Sequence, residues 1–179
     1  MILYFIISII IFCSLIGIII INTYNKFQFA LIKIEEAENS IDNLLRKKKD
    51  LMYRFLPFIK DKDEQEEKQL KKMEELKNKT INNFELHHEL IKNLHEINLM
   101  LDHQSEISAN ENFNSLKDEL METNEDIDAS IKYYNDNVVK YNRLIKCFPS
   151  NLTKLIFKFK EKEFYSNAKE EPYEILKTK

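Results

Sequence analysis

Glycine is almost absent from this chain, which has one among its 179 residues, together with three prolines and no tryptophan. Hairpin turns and bulges depend on glycine, so a sheet with many turns is excluded. Charged residues make up 32% of the chain, and most are glutamate and lysine, which favour helices. The composition therefore predicts an all-α protein.

The chain also has little cysteine and no excess of positive charge. Its two cysteines are Cys13, inside a long apolar run, and Cys147, far outside it, so we expect no disulfide between them. The formal net charge is -3, with the two signs interspersed along the chain. A nucleic-acid partner is therefore excluded, because no basic face is present to bind phosphates.

Charge is missing altogether from Met1 to Ile21. A helix over residues 2–21 is ~30 Å long, which matches the hydrocarbon core of a bilayer. The run has no basic residue before it and no small-residue cleavage site after it, so it differs from a secretory signal peptide. These residues predict an uncleaved transmembrane anchor whose partner is membrane lipid.

Positive charge on one flank of the run predicts its orientation. Lys26 and Lys33 follow the apolar residues, whereas only the α-amino group precedes them. Because positive flanks stay inside, we expect a single-pass protein with a short N-terminus outside and a cytoplasmic C-terminal domain.

Apolar residues at spacings of three and four form three seams typical of coiled-coil packing. They predict long helices over 22–59, 64–104 and 111–147, with Asn110 as the cap of the third. Pro149 ends the third helix, and a short fourth helix capped by Ser150 follows. The expected domains are an anchor over 1–22, a helical bundle over 23–165 and a loosely ordered tail over 166–179.

Short connections between long helices predict an up-down antiparallel bundle. In this order the first and third helices leave the membrane and the second returns to it. The loop near residue 107 is then expected close to the membrane, and Pro149 far from it. Residues at equal distances from the starts of the first and third helices should lie at the same height in the bundle. This places Leu45 level with Tyr134 and Met52 level with Tyr141.

Two Tyr-Asn pairs stand out on the third seam, Tyr134-Asn135 and Tyr141-Asn142. A tyrosine on a seam buries its ring and needs a partner for its hydroxyl, and an asparagine near a core can fix register. We interpret the pairs as structural, with a surface that contacts a peptide or ligand as the alternative.

Two further stretches are candidate sites. Glu85 and His88 have the Glu-x-x-His spacing of metal-binding bundles, but a second copy is missing; His88, His95 and His103 are interpreted as partly exposed. The basic run from Arg46 to Lys49 is interpreted as a solvated face. No nucleophile has a recognisable base, and no glycine-rich phosphate loop is present, so we expect no enzyme, no catalytic or metal residue and no cofactor.

The order and spacing of several motifs resemble the LemA family over nearly the whole chain. The motifs that carry this resemblance are Tyr24-Asn25, Ala37, Ile41-Asp42, the run from Leu45 to Leu51, the stretch from Ala109 to Phe113, the two Tyr-Asn pairs and Phe148-Pro149-Ser150. The resemblance implies a membrane-anchored helical bundle whose molecular function is not established. We therefore expect a scaffold or protein-interaction module. The alternative is a bundle that binds a metal or small ligand through its second helix.

Overall fold

The computed structural model describes residues 1–58, 68, 71–72, 75–76, 82–102 and 110–165. These residues form helices and no strand, which confirms the all-α helical bundle. The α-helices are α1 (Ile2–Phe55), α2 (Asn83–Asp102), α3 (Glu111–Lys146) and α4 (Ser150–Phe157), and a 3-10 turn (Leu56–Phe58) follows α1. The tail expected over 166–179 lies outside the described residues.

Helix α1 continues from the apolar run to Phe55 without a break, since no proline lies before residue 57. Its first part is long and apolar enough to cross a membrane, and that window is not buried by the rest of the protein. The single glycine, Gly17, has nothing within 4 Å of the position a Cβ would take, so it serves no close packing. Burial begins at Thr23 and Phe27, directly after the run.

The chain divides into two compact units. The first unit consists of Met1–Glu38 and Lys132–Phe164, and the second of Asn39–Ile131 and Tyr165–Lys179. In the second unit, α1 and α3 pack antiparallel around an aliphatic core. The antiparallel contacts are Ser40 Oγ to Ser130 Oγ at 3.2 Å, Arg54 to Glu119 at 3.3 Å and Phe55 to Phe113, whose ring centroids are 5.6 Å apart.

The helix predicted over 64–104 is wrong, because the chain reverses within that range. Lys72 Nζ lies 2.6 Å from a carboxylate oxygen of Glu96. In one continuous helix these two residues would be ~36 Å apart. Helix α2 begins instead at Asn83, where the Glu85 N–H donates to the side-chain oxygen of Asn82 at 2.8 Å. An asparagine cap, and not glycine or proline, starts the helix here.

This extra reversal also changes the direction of the third helix. With one reversal more than the two predicted, their number is odd and α3 runs antiparallel to α1, whereas the predicted heights required the two helices to run in the same direction. In the first unit, the Tyr141 ring lies 5.7 Å from that of Phe27, and Tyr134 interacts with Glu38. The heights predicted for both tyrosines were therefore wrong.

The direction of α3 brings α4 to the start of the bundle in the first unit. Phe157 of α4 packs on Tyr24, with ring centroids 4.7 Å apart. The prediction that Pro149 lies far from the apolar run was therefore wrong. The loop near residue 107 lies outside the described residues.

The caps of the later helices were predicted in part. The N–H groups of Asn112 and Phe113 donate to the Asn110 side-chain oxygen at 3.0 and 3.2 Å, so the predicted cap of α3 is confirmed. Helix α4 has no side-chain cap: Pro149 holds the cap position, and the expected Ser150 cap was wrong. A proline cannot accept a hydrogen bond through its side chain.

Candidate functional site

The Tyr-Asn pairs of the first unit hold a segment of backbone that follows α4. Residues 158–164, here called the strap, run beside α3. The Tyr134 hydroxyl donates to the Glu163 carbonyl oxygen at 3.1 Å. Asn142 binds Lys162 twice: its amide nitrogen donates to the Lys162 carbonyl at 2.8 Å, and its oxygen accepts from the Lys162 N–H at 2.9 Å. The groups of the strap that both side chains bind are therefore main-chain groups.

An aromatic cluster fixes the start of the strap. Phe159 stacks on Phe27 with ring centroids 4.5 Å apart, and Tyr141 meets Phe27 edge-on at 5.7 Å. Phe27 is fully buried, and burial raises the pKa of the Tyr141 hydroxyl. The structural interpretation of the Tyr-Asn pairs is supported by these contacts. Sequence reasoning missed the strap as their partner, because a segment without periodicity gives no signal of where it packs.

Replacing Asn142 with alanine should free the strap. The change removes both hydrogen bonds to Lys162, at a cost of about 1–3 kcal/mol in the free energy of unfolding. Trypsin should then cut after Lys160 and Lys162 faster than in the wild type, as measured by mass spectrometry of timed digests. Asn112→Ala is the matched control, since that side chain is exposed at the start of α3. Equal cleavage rates in the two variants would contradict the conclusion that Asn142 holds the strap in place.

The first unit also contains an open groove between α1 and α3, here called the basic groove. Its volume is about 690 Å³. Phe29, Ala30 and Leu144 give it an apolar floor. The lining residues are Asn25, Lys26, Phe29, Ala30, Lys33, Asn137, Lys140, Arg143, Leu144 and Cys147. Four of them are cations and none is a carboxylate.

Part of the positive charge in the basic groove is already balanced. Lys33 Nζ donates to Glu36 at 2.7 Å, and this hydrogen bond raises the pKa of Lys33. The same ammonium lies 5.7 Å from the centre of the Phe29 ring, within range of a cation–π contact. The remaining cations, Lys26, Lys140 and Arg143, come from both helices. Sequence reasoning missed this site because the four charges are spread over two distant stretches.

The basic run that sequence reasoning did single out is not a single surface. Arg46 pairs with Asp42 at 2.9 Å and Lys47 lies 3.7 Å from Glu119, so the solvated interpretation holds for both. It was wrong for Lys48, which is fully buried in the second unit. Among the described residues its ammonium makes no hydrogen bond, and burial lowers its pKa to about 8 although Asp128 opposes the shift.

The histidines divide between core and solvent. His87 is buried, whereas His88 and His95, which the sequence analysis interprets as partly exposed, are exposed. Burial, with the charges of Lys48 and His88, lowers the pKa of His87 to about 4. His103 lies outside the described residues. Among those described, no group of three or more His, Cys, Asp or Glu residues is placed to hold a metal ion.

The model of the LemA family matches residues 37–178, which is more than half of the chain. No curated protein matches the chain.

Proposed function

The chain belongs to the LemA family, and on that premise we propose that it is a non-enzymatic, membrane-anchored interaction module whose basic groove binds an acidic amphipathic helix of a partner protein. The observation that carries this proposal is the groove itself. It combines an apolar floor with a cationic rim, in a bundle that the apolar run would tether to a bilayer.

The dimensions of the groove suit a short helix. Its wall on α1 extends from Asn25 to Lys33, which is ~12 Å of helix, and its wall on α3 extends from Asn137 to Cys147, which is ~15 Å. These lengths accommodate two to three turns of a helix. An amphipathic helix in a groove buries apolar residues spaced three and four apart. Phe29 is exposed on the floor, and a partner's apolar side chains would cover it.

The charge of the groove favours an acidic partner. Lys26, Lys140 and Arg143 would face the polar side of the bound helix, where glutamate or aspartate complements them. Such complementarity sets specificity and the association rate more than affinity. Lys26 and Lys33, which follow the apolar run, favour a cytoplasmic location for the bundle, so the partner would be a cytoplasmic protein or domain.

No contact in the described part of the chain favours the alternative, a metal or small ligand bound through the second helix. The buried His87 and the exposed His88 point to different environments, and the pKa of His87 reflects burial beside a cation. Binding through the basic groove is therefore the function proposed here.

Photocrosslinking in cells tests the groove directly. A benzoyl-phenylalanine at position 29 should give adducts of discrete mass, because Phe29 lines the groove. The same group at Ile32, which is also exposed on α1 but lies outside the lining, should give few. Adduct yield is measured by immunoblot, and the captured protein is identified by mass spectrometry. Equal adducts from both positions would contradict the proposal.

Charge reversal provides the second arm of the test. The double variant Lys140→Glu and Arg143→Glu should reduce the adducts from position 29 by about tenfold or more, because like charges would then face the acidic helix. Lys117→Glu with Lys132→Glu is the matched control, since it changes the charge of α3 equally outside the groove. Similar losses in both double variants would show a general charge effect and defeat the proposal.

A further inference from the structure

Helix α4 buries its polar side and exposes its apolar side. Ser150 and Thr153 are buried, with Thr153 only 1% exposed. Leu152, Leu155 and Ile156 are 50%, 73% and 57% exposed. These three residues share one face, since they are spaced three and four apart on a helix. Phe148, just before the helix, is exposed as well. This orientation is the reverse of that of a surface helix in water.

The apolar face of α4 lies beside the end of the apolar run. Phe157 packs on Tyr24, and Tyr24 is three residues beyond Ile21, or ~5 Å along α1. The headgroup region on each side of a bilayer is ~5–7 Å thick. If the run spans the membrane, α4 therefore lies at the depth of the lipid headgroups. The face is continuous with a surface that already requires lipid.

The charges around α4 suit the same environment. Lys154 is half-buried on the helix, and Lys158 and Lys160 follow it as exposed residues. Lys158 adopts a left-handed conformation, with φ 57° and ψ 36°, and ends the helix there. Lysines beside an apolar helical face are typical of helices that lie in the plane of an anionic membrane surface.

We propose that α4 is a second membrane contact, which lies in the bilayer interface with Leu152, Leu155 and Ile156 among the upper acyl chains and its lysines at anionic headgroups. This inference rests on the anchored topology of the proposed function but not on the basic groove. Two contacts would restrain the tilt of the bundle relative to the membrane. The competing occupant of this face is a second copy of the chain.

The absence of tryptophan from the chain allows a depth measurement. Full-length Leu155→Trp, in vesicles of phosphatidylcholine and phosphatidylglycerol, should lose most of its emission when the acyl chains carry bromine near the headgroup. Bromine near the terminal methyl should quench it less. Ile156→Trp should behave in the same way, so one misfolded variant would not decide the result. Tyr133→Trp should lose little emission, because Tyr133 is an exposed aromatic residue on α3, more than three helical turns before the end that leads to α4.

A tryptophan at a third position tests the membrane anchor separately from the membrane contact of α4. Phe12→Trp lies in the middle of the apolar run and should be quenched most by deep bromine. Quenching of Phe12→Trp without quenching at positions 155 and 156 would overturn the interfacial contact and leave the anchor intact. Blue-shifted emission at 155 without bromine quenching would overturn it in favour of a second copy. No quenching at position 12 would overturn the anchored topology, and the inference with it.

Discussion

Replacing Lys48 with methionine should raise the free energy of unfolding by about 2–4 kcal/mol at pH 7. The lysine is fully buried, and its ammonium makes no hydrogen bond within the part of the chain that the structure describes. Asp128 is exposed, so its attraction does not offset the loss of hydration. Methionine has a similar length and would fill the same space with apolar atoms. Urea unfolding of the fragment from Thr23 onward, followed by circular dichroism, measures the gain.

The pH dependence identifies the cause of this gain. The pKa of Lys48 is about 8 in the folded protein and 10.5 when unperturbed. Below pH 8 both states are protonated, and the folded state bears the whole cost of the buried charge. Between pH 8 and 10.5 the unfolded state binds more protons, so stability rises with pH, by about 3 kcal/mol in total. The Lys48→Met variant should lack this rise.

Lys49→Met is the matched control for both measurements. Its side chain is half-buried on the same turn of α1, and the change should alter stability by about 0.5 kcal/mol or less. If Lys48→Met destabilises the protein, or if its stability still rises between pH 8 and 10, the burial of an unpartnered ammonium is refuted. A gain seen equally in Lys49→Met would instead report a general preference for methionine on α1.

Replacing Tyr134 with alanine should lower the free energy of unfolding by about 3–5 kcal/mol. The ring is 7% exposed, and the hydroxyl donates to the Glu163 carbonyl. Burial, together with Glu38 and Glu163, raises the pKa of this hydroxyl, so it stays a donor at neutral pH. The variant therefore loses packing and one attachment of the strap. Urea unfolding of the same fragment gives the value.

The neighbouring residue provides a control of the same chemistry. Tyr133 is 43% exposed, and its replacement by alanine should cost about 1 kcal/mol or less. Tyr134→Phe should lie between, because it keeps the ring and loses the hydrogen bond to Glu163, worth about 0.5–1.5 kcal/mol. Similar losses from Tyr133→Ala and Tyr134→Ala would show that the seam was assigned to the wrong face.

Hydrophobic periodicity predicted the helices well where one long pattern corresponds to one helix. Phe27, Ile41, Leu45 and Met52 all lie on the predicted seam of α1 and are fully buried. Periodicity failed between residues 64 and 104, because the apolar spacing gave no sign that the chain reverses between Lys72 and Glu96. The direction of α3 depended on that reversal. One missed turn therefore made the predicted position of each α3 residue relative to α1 wrong. The signal that could have located it was Asn82, a capping residue inside the supposed helix.

The candidate sites were harder to predict than the fold. The cations of the basic groove come from two helices more than a hundred residues apart, and only their packing brings them together. Lys48 belongs to a run of four basic residues, yet its position on the seam of α1 decides its burial. His87 and His88 are adjacent in sequence, but a helix turns by about 100° per residue, so one is buried and the other exposed.

Because Tyr134 and Asn142 bind main-chain groups of the strap, the residues that they bind are unusually free to change. Tyr134 and Asn142 form hydrogen bonds with main-chain carbonyl and N–H groups, which do not depend on the side chain. Almost any residue can therefore occupy positions 162 and 163. Proline at 162 is the exception, because it lacks the N–H that Asn142 accepts. Mutational drift should therefore be rapid at positions 162 and 163 and slow at Tyr134 and Asn142, which hold them.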